Sequence, residues 1–185
     1  MIDRRDALAG MVAMFGAAVF APIARAAAAQ LPPISDGPPS SPVFTAEQRA
    51  LMTALSERVM PTTDTPGAIT AGVPAYIEKL LADWSLPEDR VPIIGGLDMI
   101  EARSRADYKV AGAKATPAQQ DALLTLAMND QLPGGATFFE IFRQMVLTGY
   151  FTSEVGITQE REYLPVPGRY DGAFPYSQIN KVYSS

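Results

Sequence analysis

The sequence predicts an all-α protein, a small irregular helical bundle of about five helices with a long extended C-terminal tail. Residues that suit a helix start are repeatedly followed by apolar residues three or four positions apart. Gly and Pro separate these stretches. With 48% hydrophobic and 19% charged residues, the 185-residue chain has enough apolar surface to form a core. We therefore expect one globular domain with a processing segment before it and a tail after it.

The first 28 residues are typical of an export signal. Arg4 and Arg5 form a twin-arginine pair, an apolar stretch covers residues 7–23, and small residues follow it. The alternative is an uncleaved membrane anchor, for which the stretch is short and rich in Ala and Gly. We interpret residues 1–28 as a twin-arginine signal, which predicts export in the folded state and a periplasmic location.

Residues 29–44 are dense in Pro, Ser, Asp and Gly, which predicts a polyproline-leaning linker. The helical domain then covers residues 45–149. Its first helix is expected to start with Thr45 as N-cap and Gln48 as capping-box partner, and to stop at Pro61. Its apolar stripe consists of Leu51, Met52, Leu55 and Val59.

Residues 62–71 carry turn-forming residues and predict a loop. A second helix is expected to begin near Val73 and Pro74 and to end before Pro87. Because aromatic residues at helical spacing usually belong to a core, Trp84 is expected to be buried; a ligand cavity beside it is the alternative. The apolar face of this helix consists of Val73, Ile77, Leu80, Leu81 and Trp84.

A third helical segment starts at Glu88, although Gly95 and Gly96 weaken its pattern. Each glycine costs about 1 kcal/mol relative to Ala inside a helix. We therefore expect either close packing or a kink at this point. The apolar residues of the segment are Val91, Ile94, Leu97 and Ile100.

A fourth helix is predicted to start with Thr116 as N-cap, Pro117 at the first position and Gln119 or Gln120 in the first turn. Gly134 and Gly135 mark the turn after it. The buried face is expected to consist of Leu123, Leu124 and Ala127.

The fifth helix is the most apolar and is expected to be central. Thr137 and Glu140 have the spacing of a capping box, and the helix is expected to end near Gly149. Residues 150–185 then show no clear helical period. Its apolar face consists of Phe138, Ile141, Phe142, Met145 and Val146.

The tail, residues 150–185, combines Pro and Gly with many aromatic residues. A solvated tail would be poor in aromatics, so this one is expected to lie on a surface. That surface is either its own domain or another protein, and the residues leave these alternatives equally open. The aromatics are Tyr150, Phe151, Tyr163, Tyr170, Phe174, Tyr176 and Tyr183.

The chain contains no His and no Cys, which removes much of the usual catalytic and metal-binding chemistry. Catalytic triads, Cys nucleophiles, zinc sites with N or S ligands, iron–sulfur clusters and covalent haem all need these residues. The formal net charge is −5 and no basic run occurs, so nucleic acid is not expected as a partner. A site built from carboxylates, Tyr or Lys remains open.

Neighbouring carboxylates are the remaining candidates for acid–base catalysis, but charge patterning places them on solvated helix faces. The paired glycines do not follow a strand and predict no phosphate loop. We therefore expect no catalytic residue, no metal and no cofactor in this chain. The carboxylate groups are Asp83 with Glu88 and Asp89, Asp98 with Glu101, and Glu160 with Glu162.

Three separated runs, in this order, resemble the gluconate 2-dehydrogenase subunit 3 family. The resemblance covers about residues 45–176. The runs are Pro61-Thr62-Thr63-Asp64-Thr65-Pro66-Gly67-Ala68 with Ala71-Gly72-Val73-Pro74, then Thr148-Gly149-Tyr150-Phe151-Thr152-Ser153-Glu154-Val155-Gly156, then Val166-Pro167-Gly168-Arg169-Tyr170-Asp171-Gly172.

Within that family the sequence is most similar to the small subunits of glucoside or lactose 3-dehydrogenases, which oxidise the C3 hydroxyl of a sugar. The resemblance implies a large FAD-bearing partner of the glucose-methanol-choline oxidoreductase fold and, commonly, a cytochrome c acceptor. It also implies that the small subunit carries the twin-arginine signal for the complex and assists maturation of the flavin subunit. Membrane association would then arise only through the complex.

The leading hypothesis is an export and assembly subunit whose loop and tail contact the flavin subunit. The alternatives are an independent periplasmic helical domain that binds a small ligand near Trp84, and a carboxylate enzyme that uses Asp64 or Glu154. The expected partner-binding residues are Asp64, Thr65, Pro66, Tyr150, Phe151, Thr152, Ser153, Glu154, Pro167, Arg169, Tyr170 and Phe174.

Overall fold

The computed structural model describes residues 37–163, Pro175, Ser177 and residues 183–184. This part of the chain is predominantly helical, which confirms the predicted all-α class. Two short strands, β1 (Glu162–Tyr163) and β2 (Tyr183–Ser184), pair in parallel. The α-helices are α1 (Ala46–Val59), α2 (Val73–Asp83), α3 (Pro87–Tyr108), α4 (Pro117–Met128) and α5 (Gly135–Phe151), with a 3₁₀ turn at Gly112–Lys114 and a π-helical turn at Gly156–Glu160.

The predicted Thr45 capping box and the predicted Thr116 N-cap are confirmed. The Thr45 hydroxyl accepts a hydrogen bond from the Gln48 backbone N–H at 3.2 Å, and the Gln48 side chain accepts from the Thr45 N–H at 3.0 Å. Thr116 and Gln119 make the same reciprocal pair at the start of α4. Each box satisfies N–H groups that the first helical turn cannot pair, so sequence alone located these two helix starts.

The predicted capping box at the start of α5 is wrong. The helix begins at Gly135, and Gly134 is its N-cap with φ at 71°, a left-handed conformation that favours glycine. Thr137 therefore lies inside the helix and is exposed, while Glu140 pairs with Arg143 at 2.9 Å. A Cβ on Gly135 would lie 2.9 Å from the Ala127 backbone, so the early start lets α5 approach α4 closely.

The predicted central position of α5 is confirmed, since this helix packs against α1, α2, α3 and α4. Phe138 and Phe142 stack with ring centroids 5.4 Å apart and are both buried. Ile141 is half-buried, while the rest of the predicted face is in the core. The large fully buried side chains are Tyr150, Phe138, Phe142, Leu51, Met52, Leu55, Ile77, Ile93, Leu97, Ile100, Leu123 and Val73.

The predicted apolar face of α3 is only partly right, because Val91 is 66% exposed. Residues three apart drift by about 60° per step around a helix of 3.6 residues per turn, so Val91 and Leu97 cannot share one face. The observed buried face also includes Ile93 and Gly96. A Cβ on Gly96 would overlap the Phe138 ring, which confirms close packing between α3 and α5 as the reason for this glycine.

Trp84, predicted to be buried, is 41% exposed. The helix α2 ends at Asp83, and Trp84 is its C-cap, with φ at −121°. The backbone therefore leaves the helical path before Trp84, and its side chain does not continue the buried face of Val73, Ile77 and Leu81.

The N-terminal end of the described chain is attached to the helices. Phe44, the last residue of the predicted linker, is 4% exposed and belongs to the core. The Ser40 backbone N–H donates to the Asp83 carboxylate at 2.8 Å. Residues 1–36, with the predicted signal and the first half of the predicted linker, lie outside the described residues.

Asp83 was expected on a solvated helix face, and this expectation is wrong. The residue is 6% exposed, because it lies at the end of α2 beneath Ser40 and beside Lys79, whose ammonium is 3.0 Å away. Hydrogen bonds from the Ser40 hydroxyl and N–H, and from Lys79, lower the pKa of Asp83 to about 2. Asp83 is therefore a structural anchor for the segment before α1.

Candidate functional site

Residues 60–72 connect α1 to α2 and are held by one carboxylate, that of Glu57 near the end of α1. Glu57 Oε1 accepts from the Thr62 N–H at 2.9 Å and from the Thr62 hydroxyl at 2.7 Å. Its Oε2 accepts from the Ile69 N–H at 3.0 Å. Both ends of the connection are thus fixed to the same side chain. We call residues 60–72 the Glu57 loop.

The environment of Glu57 favours its charged form. Partial burial raises the pKa of this carboxyl, but the hydrogen bonds from Ile69 and Thr62, together with the charge of Arg58, outweigh burial and lower the pKa below its usual value. The loop is therefore organised around a carboxylate that stays ionised at neutral pH.

Gly67 lets the Glu57 loop close. A Cβ at this position would overlap the Glu57 carboxylate and lie 2.8 Å from the Thr62 hydroxyl oxygen. Its N–H donates to that hydroxyl at 3.0 Å, and the next N–H, of Ala68, donates to the Met60 carbonyl at 2.8 Å. The absence of a side chain is what allows the loop to fold back on the end of α1.

The C-terminal end of α5 packs against the same loop. Tyr150 is 1% exposed, and its hydroxyl donates to the Pro66 carbonyl oxygen at 2.8 Å. A Cβ on Gly149 would lie 2.5 Å from the Tyr76 ring, so this glycine allows α2 and α5 to approach each other. The first and second runs of the resemblance, separate in sequence, therefore contact each other in the fold.

The turn after α5 makes a second contact with the loop. The Thr65 hydroxyl donates to Glu160 at 2.7 Å. Within the turn, the Ser153 hydroxyl donates to the Tyr150 carbonyl at 2.6 Å and accepts from the Gly156 N–H at 3.1 Å. These bonds stabilise the change from α5 to the π-helical turn.

Two aromatic rings continue this surface. Phe151 packs edge-on against Tyr150, with centroids 5.3 Å apart. The Arg161 guanidinium lies over the Phe151 ring, 4.7 Å from its centroid, in cation–π geometry. Beyond Arg161 the chain enters β1, whose residues pair with Tyr183 and Ser184 of β2, so the chain end returns beside this turn.

The structure therefore brings most of the described candidate residues into one region. Asp64, Thr152 and Glu154 are exposed, while Tyr150 is in the core. Thr65, Pro66, Phe151 and Ser153 are half-buried; Pro167, Arg169, Tyr170 and Phe174 lie outside the described residues.

The model of the gluconate 2-dehydrogenase subunit 3 family matches residues 46–168, two thirds of the chain, and includes this whole described region. The chain belongs to the gluconate 2-dehydrogenase subunit 3 family. The name of this family describes one subunit of a dehydrogenase complex, which agrees with an accessory role. No curated protein and no solved structure matches the chain significantly.

The sequence of this subunit 3 family member did not reveal several residues that build the site. Glu57 and Tyr76 act through contacts that only the fold creates, and Glu160 was interpreted as one of a solvated pair. Ile69 was not singled out, because one apolar residue in a loop carries no periodic signal. The sequence signals for this region were the turn-forming residues of 62–71 and the first run of the family resemblance, which includes Gly67.

Two other predicted carboxylates of this family member, Asp98 and Glu101, make structural contacts. Asp98 accepts from the Gln48 amide at 2.7 Å, and Glu101 accepts from the Gly112 N–H at 2.8 Å and pairs with Arg105 at 2.7 Å. Within the described part of the chain, no cluster of three Asp or Glu residues is placed to hold a metal ion. Over the same residues, no helix combines the length and apolar character needed to cross a membrane.

Two surface grooves are the cavities of note on the described surface, and Trp84 lines neither of them. One has a volume of about 290 Å³ and lies between α1, α4 and α5. The other has a volume of about 540 Å³ and lies between α1 and the end of α3. The first is lined by Arg58, Val59, Asp121, Leu124, Thr125, Met128, Phe139 and Arg143, and the second by Ala46, Glu47, Ala50, Glu101, Arg105, Val110, Ala111, Ala113 and Lys114.

Proposed function

We propose that this chain is the non-catalytic small subunit of a periplasmic FAD-dependent sugar dehydrogenase of the glucoside 3-dehydrogenase type. In this proposal it carries the twin-arginine signal of the complex and assists export and maturation of the large flavin subunit. FAD belongs to that partner, which has the glucose-methanol-choline oxidoreductase fold, and a cytochrome c subunit is the further candidate partner. Membership in a family named as a dehydrogenase subunit supports the part of this proposal that makes the chain an accessory subunit.

The observation that carries the proposal is the joining of two family runs into one surface. Tyr150 supports the Glu57 loop from the protein interior, because its hydroxyl donates a hydrogen bond to the Pro66 carbonyl. Asp64, Thr152 and Glu154 remain exposed around this contact. A region with a fixed backbone and exposed side chains on long connections is typical of a binding surface. We infer that the flavin subunit binds here, with Tyr150 as a buried support and not a contact residue.

The composition supports a role without catalysis. Neither imidazole nor thiol is available anywhere in the chain, and these are the groups most used for acid–base and nucleophilic catalysis. Asp83 is buried at 6% exposure, and Ser40 and Lys79 lower its pKa rather than raise it. A general acid at neutral pH needs the opposite shift.

The signal proposal rests on Arg4 and Arg5 ahead of an apolar stretch with small residues after it. Because a twin-arginine signal directs folded cargo, one signal can direct a preassembled pair of subunits. A small subunit without catalytic residues can therefore carry the export signal for the whole complex.

The test co-expresses a large FAD-dependent dehydrogenase subunit of the proposed type with this chain, with no second subunit, or with a chain carrying Arg4→Lys and Arg5→Lys. Sugar dehydrogenase activity is then measured in the periplasm and the cytoplasm. We expect periplasmic activity only with the natural chain, and retention in the cytoplasm with the double substitution. A flavin subunit that reaches the periplasm and is active without this chain would contradict the proposal. A chain that purifies alone and binds a small ligand would favour the alternative.

A further inference from the structure

The Glu57 loop is longer and more strongly fixed than a simple connection requires. Helix-to-helix connections are usually about 2–8 residues long, and longer ones in compact domains are often functional. Residues 60–72 exceed this length, yet the Glu57 carboxylate holds them from both ends. Tyr150 and Glu160 hold Pro66 and Thr65 in the middle. The structure therefore keeps a long connection in one conformation.

This fixed loop presents an apolar side chain to solvent. Ile69 is 48% exposed, although its own N–H is bonded to Glu57 and its neighbour Ala68 is fully buried. Single exposed apolar residues are ordinary on protein surfaces, so exposure alone identifies nothing. Met128, on α4, is exposed to nearly the same extent, 49%, and does not lie on such a loop. The difference is that Ile69 lies on a long connection whose backbone is fixed by Glu57, a side chain outside the loop, whereas Met128 ends an α-helix.

A rigid apolar residue is favourable for binding a protein. Fixing a loop before binding reduces the conformational entropy lost on association, and a central apolar anchor provides much of the binding free energy. Ile69 lies between the two parts of the first run of the family resemblance, residues 61–68 and 71–74, and on the loop that α5 supports. These features fit a partner that offers an apolar depression with a polar rim for Thr70 and Asp64, which are both exposed.

We propose that Ile69 is the anchor residue through which this chain binds its flavin subunit, and that Glu57 is the positioning residue that holds Ile69 in place. This inference rests on the proposed function and adds the residue that determines the affinity. Glu57 acts only through the loop backbone, because its carboxylate is already occupied by Thr62 and Ile69.

The affinity of the purified chain for the co-expressed FAD-dependent subunit is measured for Ile69→Ala, Ile69→Asp, Met128→Ala and Met128→Asp. We expect Ile69→Ala to weaken binding by about tenfold or more and Ile69→Asp by about 30-fold or more. Met128 is the matched control, because it is an apolar residue of nearly equal exposure, 49% against 48%, that lies on α4 and outside the Glu57 loop. Both Met128 variants are expected to bind within about twofold of the natural chain.

The positioning role is tested by a double-mutant cycle. In Glu57→Gln one of the two accepting oxygens becomes an amide nitrogen, so the bond from Thr62 or from Ile69 is lost. We expect Glu57→Gln to weaken binding by about fivefold or more in the natural chain and by less than about twofold in the Ile69→Ala background. Equal losses in both backgrounds would show that Glu57 only stabilises the fold and would overturn the positioning role.

The outcomes separate this inference from the proposed function. If the natural chain does not bind the flavin subunit, the proposed function fails. If the natural chain binds and Ile69→Asp binds as well as Met128→Asp, the proposed function stands and Ile69 is not the anchor. Because Ile69 is half-exposed on a loop, its substitution leaves the core intact, and unfolding midpoints measured alongside confirm this for each variant.

Discussion

Gly95 and Gly96 are neighbours in α3, but their surroundings differ completely. A Cβ on Gly96 would overlap the Phe138 ring, which is itself fixed by stacking on Phe142. A Cβ on Gly95 would meet no atom within 4 Å, and the residue is exposed. Gly96 therefore serves the contact between α3 and α5, while nothing in the described structure explains Gly95.

The two glycines should respond to alanine with opposite signs. Gly96→Ala is expected to destabilise the protein by about 1–3 kcal/mol, because overpacking outweighs the better helix propensity. Gly95→Ala is expected to stabilise it by about 0.5–1 kcal/mol, because it gains propensity without a clash. Urea unfolding of both variants provides the measurement, and each variant is the control for the other. Shifts of the same sign would contradict the packing described here.

At the scale of elements, Asp83 joins α2 to the segment that precedes α1. Its carboxylate accepts from the Ser40 N–H and pairs with Lys79, so an irregular stretch of chain is attached to a helix end. Phe44 then enters the core from this attached segment. The anchoring explains how a Pro-rich stretch without helical period still contributes to the fold.

The Asp83 anchor predicts a defined dependence on pH. The folded-state pKa of Asp83, about 2, is lower than the ordinary value of 3.8, so its contribution to stability is complete above about pH 5 and is lost as the pH falls toward 2. The natural chain should therefore be more stable than Asp83→Asn at pH 7, and this gap should shrink toward zero near pH 2. Urea midpoints across that range measure it. A gap that stays the same between pH 7 and pH 2 would contradict this role of Asp83.

Helix starts could be predicted from sequence where a side chain makes the cap. Thr45 and Thr116 mark the starts of α1 and α4, because each hydroxyl accepts a hydrogen bond from the backbone N–H three residues later. The start of α5 depends instead on the backbone conformation of Gly134 and on the approach of Gly135 to Ala127. That contact is tertiary, so the Thr137 pattern in the sequence pointed to the wrong residue.

At the scale of the whole molecule, the sequence predicted the candidate residues but not how they meet. The runs around Pro66 and Tyr150 were identified by resemblance, since short motifs are visible in sequence. Their contact through the Tyr150 hydroxyl spans 84 positions of sequence, and no local rule predicts such a partner. Glu57 was missed for the same reason, because its role depends on a loop that returns to the end of α1.

The contact between Tyr150 and the Glu57 loop also changes the expected result of truncation. The sequence predicted a helical domain of residues 45–149 followed by a separate tail from residue 150, but Tyr150 is in the core and Phe151 completes α5. Loss of a buried aromatic costs about 3–5 kcal/mol, a large part of the 5–15 kcal/mol that stabilises a typical domain.

Chains that end after Gly149 and after Tyr163 should therefore behave differently. We expect the shorter chain to lose cooperative unfolding and much of its helical circular dichroism, because both Tyr150 and its bond to Pro66 are gone. The chain ending after Tyr163 keeps the five α-helices and the π-helical turn and should retain a cooperative transition. Tyr150→Phe in the full chain keeps the ring and loses only the hydroxyl, which should cost about 1 kcal/mol. If the shorter chain unfolds as cooperatively as the longer one, the end of α5 does not support the Glu57 loop as the structure indicates.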